Sequence, residues 1–108
     1  MRDRGRPDGV AVVLLPVDID TVNAGSVGDL LAAAIVPGVD VVVADLTVTT
    51  FCDCAGVHSL LLAFRKASAN SAELRLAVGS IAVVRILKLV GADEVLLVYP
   101  DLGAALAA

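Results

Sequence analysis

The chain has 108 residues, enough for one domain with its own hydrophobic core. Its hydrophobic content is 58% but its aromatic content only 3%. The core is therefore built from Val, Leu, Ile and Ala, and the aromatic platforms on which single-stranded nucleic acid stacks are scarce. A net charge of −4 further disfavours a phosphate backbone, so composition and charge together argue against direct nucleic-acid binding.

Residues 1–9 are charged and lack the apolar centre of a secretory signal. They are expected to be a frayed segment ahead of one domain over 10–108. No apolar run approaches the ~18 residues of a membrane span, because Pro16, Asp18, Pro37, Asp40 and Asp45 divide the apolar stretches. A cytoplasmic protein without a membrane span is expected.

Residues 10–15 form a β-branched run that reads as a strand buried on both faces. The stretch 16–23 breaks the pattern. Over 24–35, Val27, Leu30, Leu31 and Ala34 recur at helical spacing, and Pro37-Gly38 stops the segment. A second β-branched run follows at 39–46. Val57, Leu60, Leu61 and Phe64 then place an apolar stripe on a helix reaching about residue 70. Residues 74–78 read as a strand. Ser80 is a plausible N-cap for a helix carrying Val83, Val84, Leu87 and Val90, which Gly91 ends. Residues 95–98 read as a last short strand and 102–107 as a terminal helical turn or two. Strands alternating with helices imply parallel neighbours and right-handed crossovers, hence an α/β domain with a mixed, mostly parallel sheet.

The segment Phe51-Cys52-Asp53-Cys54-Ala55-Gly56 joins the end of a strand to the start of the longest helix. Such a junction presents free backbone N–H groups and a positive dipole end, so small polar residues placed there commonly face a ligand or a partner. Cys52 and Cys54 are one residue apart, too close for an unstrained disulfide. Two thiols and one His are also too few for a zinc site, so neither metal nor disulfide is expected. Cys54 and His58 lie four apart on one helix face, but a nucleophile and base need a third group to orient the base. None stands at a fitting spacing, so no catalytic residue is assigned. Nor is there a glycine-rich phosphate loop or any other sign of a cofactor.

Three segments, in order, resemble the STAS domain, the fold of bacterial anti-sigma factor antagonists, and the resemblance runs over residues 10–107. In that family an Asp-Ser-Ser/Ala/Thr-Gly motif, usually preceded by Phe and one further residue, follows a buried strand and opens a helix; residues 51–56 match it here. Val17-Asp18-Ile19-Asp20-Thr21-Val22-Asn23-Ala24 is similar to the family's Gly-Glu-Leu-Asp-x-x-Thr-Ala segment, and residues 83–91 to its third helix.

The resemblance implies a non-enzymatic regulator that works by partner switching. The antagonist binds a kinase-like anti-sigma factor, frees a sigma factor, and is turned off when that kinase phosphorylates the first Ser of the motif. A phosphate there adds about −1.5 to −2 charge beside the motif's Asp. In this chain that position is Cys54, so serine phosphorylation at it is impossible. Four readings of Cys54 stay open: a docking surface that has lost its switch, a thiol placed for redox control, a structural residue, or a degenerate domain with some other partner. A helix N-terminus favours the reactive thiolate, whereas a neighbouring Asp opposes it.

The implied partner surface comprises Asp20, Asn23, Asp53, Cys54, Ala55 and Gly56, with His58, Leu62 and Arg65 continuing it along the helix face. Asp20 and Asn23 could equally be helix caps, and Gly56 either a point of close backbone approach or incidental. The expected partner is an anti-sigma factor or related kinase-like regulatory protein, with a homodimer also open. The alternatives are a thiol-based redox-responsive protein using Cys54, or a STAS subunit of a larger signalling or transporter-associated assembly.

Overall fold

A computed structural model describes residues 9–108, so the expected frayed segment lies, apart from Gly9, outside the described residues. The β-branched runs become β1 (Val10–Leu14), β3 (Val41–Leu46), β5 (Glu73–Val78) and β6 (Leu97–Tyr99), which form a sheet in the order β1-β3-β5-β6. Each neighbouring pair is parallel, with registers such as Val12↔Val43, Val43↔Arg75 and Leu76↔Val98. Parallel neighbours need crossovers, supplied by α1 (Ala24–Ala34), α2 (Cys54–Ala69) and α3 (Ile81–Leu89). The fold is the α/β domain that the alternation of periods predicted.

α1, α2 and α3 share one hydrophobic core with a single face of the sheet. Leu31 of α1, Leu60 of α2 and Leu87 of α3 meet Val42, Leu74 and Leu76 there, all fully buried. The opposite face is covered by α4 (Leu102–Ala107), whose Ala105 packs with Val43 and Ala77. Asp101 caps α4 through a hydrogen bond from Ala104 N at 2.7 Å, and Arg75 Nη1 ties it down by donating to Ala105 O at 2.9 Å.

Five expectations need correction. β1 is not buried on both faces: Leu14 is 63% exposed, because among the described residues β1 is an edge strand and α4 packs on β3, β5 and β6. The break at 16–23 hides a further strand, β2 (Asp18–Ile19), which pairs in parallel with β4 (Phe51–Cys52). Leu30 is half exposed, since it sits at the margin of the stripe that Val27 and Leu31 centre. Ser80 occupies the N-cap position of α3 without a side-chain capping bond, and Val90, its C-cap, is half exposed. Finally, Gly91, at φ 76°, turns the chain into a 3-10 turn at Ala92–Glu94, so β6 starts later than the hydrophobic run does.

Candidate functional site

β2 and β4 extend the chain beyond the C-terminal ends of β1 and β3 and hold the site between them. Thr50 N donates to Val17 O at 2.8 Å and Asp53 N to Ile19 O at 3.1 Å, so the segment leading into α2 is pinned before the helix begins. Asp53 is extended (φ −96°, ψ −174°) and caps α2, its Oδ1 accepting from Gly56 N at 3.0 Å. That bond satisfies one of the free amides of the first turn. Cys54 follows as the first residue of α2, and it is exposed.

Gly56 is buried, and the structure shows why it carries no side chain. A Cβ there would stand 2.6 Å from Cys52 Sγ and 2.7 Å from Ile19 Cγ2. Its contribution to the surface is thus indirect: it lets α2 sit tightly on β2 and β4. Cys52 is buried beneath it, and its thiol donates to Asp53 O at 3.6 Å. Burial first, then the charges of Asp53 and Cys54, push the Cys52 thiol up to about 11. At neutral pH it is a protonated core residue.

The turn before α1 lies against this junction. Asp20 Oδ1 accepts from Val22 N at 2.9 Å and from Asn23 N at 3.3 Å, while Asn23 Oδ1 accepts from Asp20 N at 2.9 Å and its Nδ2 donates to Asp18 O at 2.7 Å. Asn23 occupies the N-cap position of α1, yet its side chain folds back into the turn instead of capping the helix. Thr21 Oγ1 reaches across to Asp53 Oδ2 at 3.4 Å.

The structure therefore brings Asp20, Asn23, Asp53, Cys54 and Ala55 to one end of the domain. His58, Leu62 and Arg65 continue from Cys54 as exposed residues down α2. Leu62 also lines a cleft of about 320 Å³ between α1 and α2, with Gly25, Gly28, Asp29 and Lys66.

Thr21 and Val22 lie in the same turn, within the expected surface over 20–24, and Phe51 opens the motif at 51–56, but their exposure was not read from the sequence. Val22 is 92% exposed at the tip of the pinned turn, and Phe51 is half exposed on β4. Burial periodicity cannot flag a lone Val in a polar turn; the available signal was an apolar residue flanked by three turn-forming polar ones. Among the described residues no group of three or more His, Cys, Asp or Glu could hold a metal ion. No helix of the described residues is long and apolar enough to cross a membrane.

The chain is thus a parallel α/β domain that carries a capped Asp-Cys-Ala-Gly junction beside a turn closed by Asp20 and Asn23. The STAS domain model matches residues 3–105, and the chain belongs to the STAS domain family. Among solved structures it is similar to an anti-sigma factor antagonist from Mycobacterium paratuberculosis, with a TM-score of 0.83, 26% identity, and coverage of 94% of this chain and 86% of that one. A putative anti-sigma factor antagonist from Thermotoga maritima has the same fold, with a TM-score of 0.77 at 17% identity over 94% of this chain and 91% of that one. So does a sulfate transporter family protein from Wolinella succinogenes, with a TM-score of 0.76 at 21% identity over 94% and 84%. No curated protein matches the chain in sequence.

Proposed function

We propose that this protein is a non-enzymatic, cytoplasmic regulator of the anti-sigma factor antagonist kind. It docks on a kinase-like anti-sigma factor and so controls the availability of a sigma factor. The docking surface is the turn 20–24, the junction 53–56 and the exposed face of α2 through His58, Leu62 and Arg65. The observation that carries this reading is the exposed Cys54 on the capped first turn of α2, at the position where the family's motif has its phosphorylated Ser. The likeness to the Mycobacterium paratuberculosis antagonist supports it.

With Cys at that position, phosphorylation of a motif serine cannot dissociate the complex. The partner is therefore bound constitutively or controlled by other means. The test is titration of purified kinase-like anti-sigma factors from the host with the parent and with Cys54→Asp. A second carboxylate beside Asp53 is expected to weaken the complex by about tenfold or more. Equal affinity of both proteins for a confirmed partner removes the junction from the interface; absence of binding to any such protein removes the function.

A second reading, a STAS subunit of a transporter-associated assembly, draws on the fold shared with the Wolinella succinogenes protein. Co-purification with a membrane transporter in place of a kinase-like protein would favour it.

A further inference from the structure

Cys54 removes the hydroxyl from the motif but not from the surface around it. β2 and β4 run side by side, with Ile19 opposite Cys52 in the last pair of their register and Asp53 N donating to Ile19 O at 3.1 Å. Thr21 stands two residues beyond Ile19, as Cys54 stands two residues beyond Cys52. Neighbouring strands lie about 4.8 Å apart, so the two segments leave their pairing as neighbours. The bond from Thr21 Oγ1 to Asp53 Oδ2 at 3.4 Å shows that they stay so. The hydroxyl missing from position 54 is thus present on the adjacent segment, bonded to the carboxylate that precedes Cys54.

Within the proposed docking surface, formed by the turn 20–24, the junction 53–56 and the face of α2 through His58, Leu62 and Arg65, Thr21 alone carries a side-chain hydroxyl. It is exposed, and the turn that bears it has a fixed shape: Val22 N donates to Asp20 Oδ1 at 2.9 Å and Asn23 Nδ2 to Asp18 O at 2.7 Å. Val22, 92% exposed, stands beside it as an apolar handle for recognition. Ser59 and Thr49, by contrast, are buried, and their hydroxyls donate inward to Ala24 O and Pro16 O, each at 2.7 Å. Thr21 is presented to an incoming protein where these are not.

We infer, on the reading that this surface docks a kinase-like protein, that Thr21 is its phosphoacceptor and stands in for the missing motif serine. Transfer forms a bond between Thr21 Oγ1 and the γ-phosphorus of ATP and breaks the bond from that phosphorus to the bridging oxygen. ADP leaves, and the hydroxyl proton passes to a base of the kinase. The phosphorylated side chain has lost the proton that the hydroxyl donated to Asp53. It sets about −1.5 to −2 charge against that carboxylate instead, so the link between the turn and α2 breaks and the docking surface becomes more negative.

Purification of the full chain from growing and from stressed host cells, with phosphatases inhibited, followed by phosphosite mapping with peptide mass spectrometry, tests it. Phosphate is expected on Thr21, and the chain carrying Thr21→Val should come out unphosphorylated. A parent chain without phosphate at Thr21, or with phosphate only at another exposed hydroxyl such as Ser26 or Thr50, overturns the proposal. Titration of a confirmed partner then reads the consequence: Thr21→Glu should bind about fivefold or more weakly than Thr21→Gln, which matches its size without the charge. Equal affinity of the two variants overturns control by charge at this position. Failure of every kinase-like protein to bind the parent refutes the docking reading and leaves a mapped phosphate on Thr21 standing, so the two failures are distinct.

Discussion

Thr21 donates its hydroxyl to Asp53 Oδ2 at 3.4 Å, while Asp53 Oδ1 accepts from Gly56 N at 3.0 Å. One carboxylate thus caps α2 and links it to the turn before α1. The two segments of the proposed docking surface share that group, so a change at Cys54 that repels Asp53 also acts on the turn carrying Val22. The link between residues 21 and 53 is exposed and long, which makes it the weaker of the two bonds.

Loss of the cap should be visible in stability alone. Asp53→Ala removes both bonds and is expected to cost about 1 kcal/mol, up to about 2, in urea unfolding, whereas Asp53→Asn retains a capping oxygen and should cost only a few tenths. Thr21→Val should fall within about 0.5 kcal/mol of the parent, because its bond is exposed. Equal stability of Asp53→Ala and the parent would mean that the cap does not form in solution.

Gly56→Ala forces a Cβ against Cys52 Sγ and Ile19 Cγ2, at 2.6 Å and 2.7 Å if nothing moves. An expected loss of about 1–3 kcal/mol follows from overpacking. Combining it with Cys52→Ala relieves one of the two clashes, so the double mutant should be more stable than the sum of the single losses by more than about 0.5 kcal/mol. Gly25 is the control. A Cβ there meets nothing within 4 Å, and Gly25→Ala in a helical position should stabilise by about 0.5–1 kcal/mol.

These contacts also mark how far the sequence could be read. The order of strands and helices followed from hydrophobic period, and the motif at 51–56 placed Asp53 and Cys54 at a helix start because apolar spacing begins at Val57. Cys52 is buried and Cys54 exposed, as two residues on either side of the strand-to-helix junction can be without any break in the hydrophobic pattern. β2 was illegible because two residues carry no period and form a strand only by pairing with β4, across more than thirty residues of chain. Leu14 and Leu30 were misread for a related reason: an apolar residue announces a preference for burial, but sheet order and helix placement decide whether a neighbour covers it. Val22 was invisible because its exposure results from side-chain bonds of Asp20 and Asn23, which leave no pattern in hydropathy.

Cys52 makes stability depend on alkaline pH. The thiol titrates at about 11 in the folded chain against an ordinary value of 9.0, so between these values the unfolded chain loses the proton and the folded chain keeps it. Stability that is fully present below pH 9 is therefore lost as pH rises through about 11. The loss is at most on the order of 2–3 kcal/mol. Cys52→Ala should lower stability at every pH by leaving a cavity, yet show a shallower decline over this window. Parallel curves for parent and variant in chemical denaturation would contradict the assignment.

The two thiols should differ sharply in reactivity, and that difference separates redox control from a permanently active surface. Cys54 is exposed, whereas Cys52 is buried with its thiolate disfavoured. Limiting iodoacetamide should label Cys54 at least about tenfold faster than Cys52, as read by peptide mass spectrometry. Mild peroxide with a small thiol should likewise place a sulfenate or mixed disulfide on Cys54 alone. Either product adds bulk or charge beside Asp53. If the site is a redox switch, partner affinity falls on oxidation, returns with reductant, and becomes insensitive to peroxide in Cys54→Ala. Unchanged affinity after complete oxidation of Cys54 would leave constitutive docking as the behaviour of this surface.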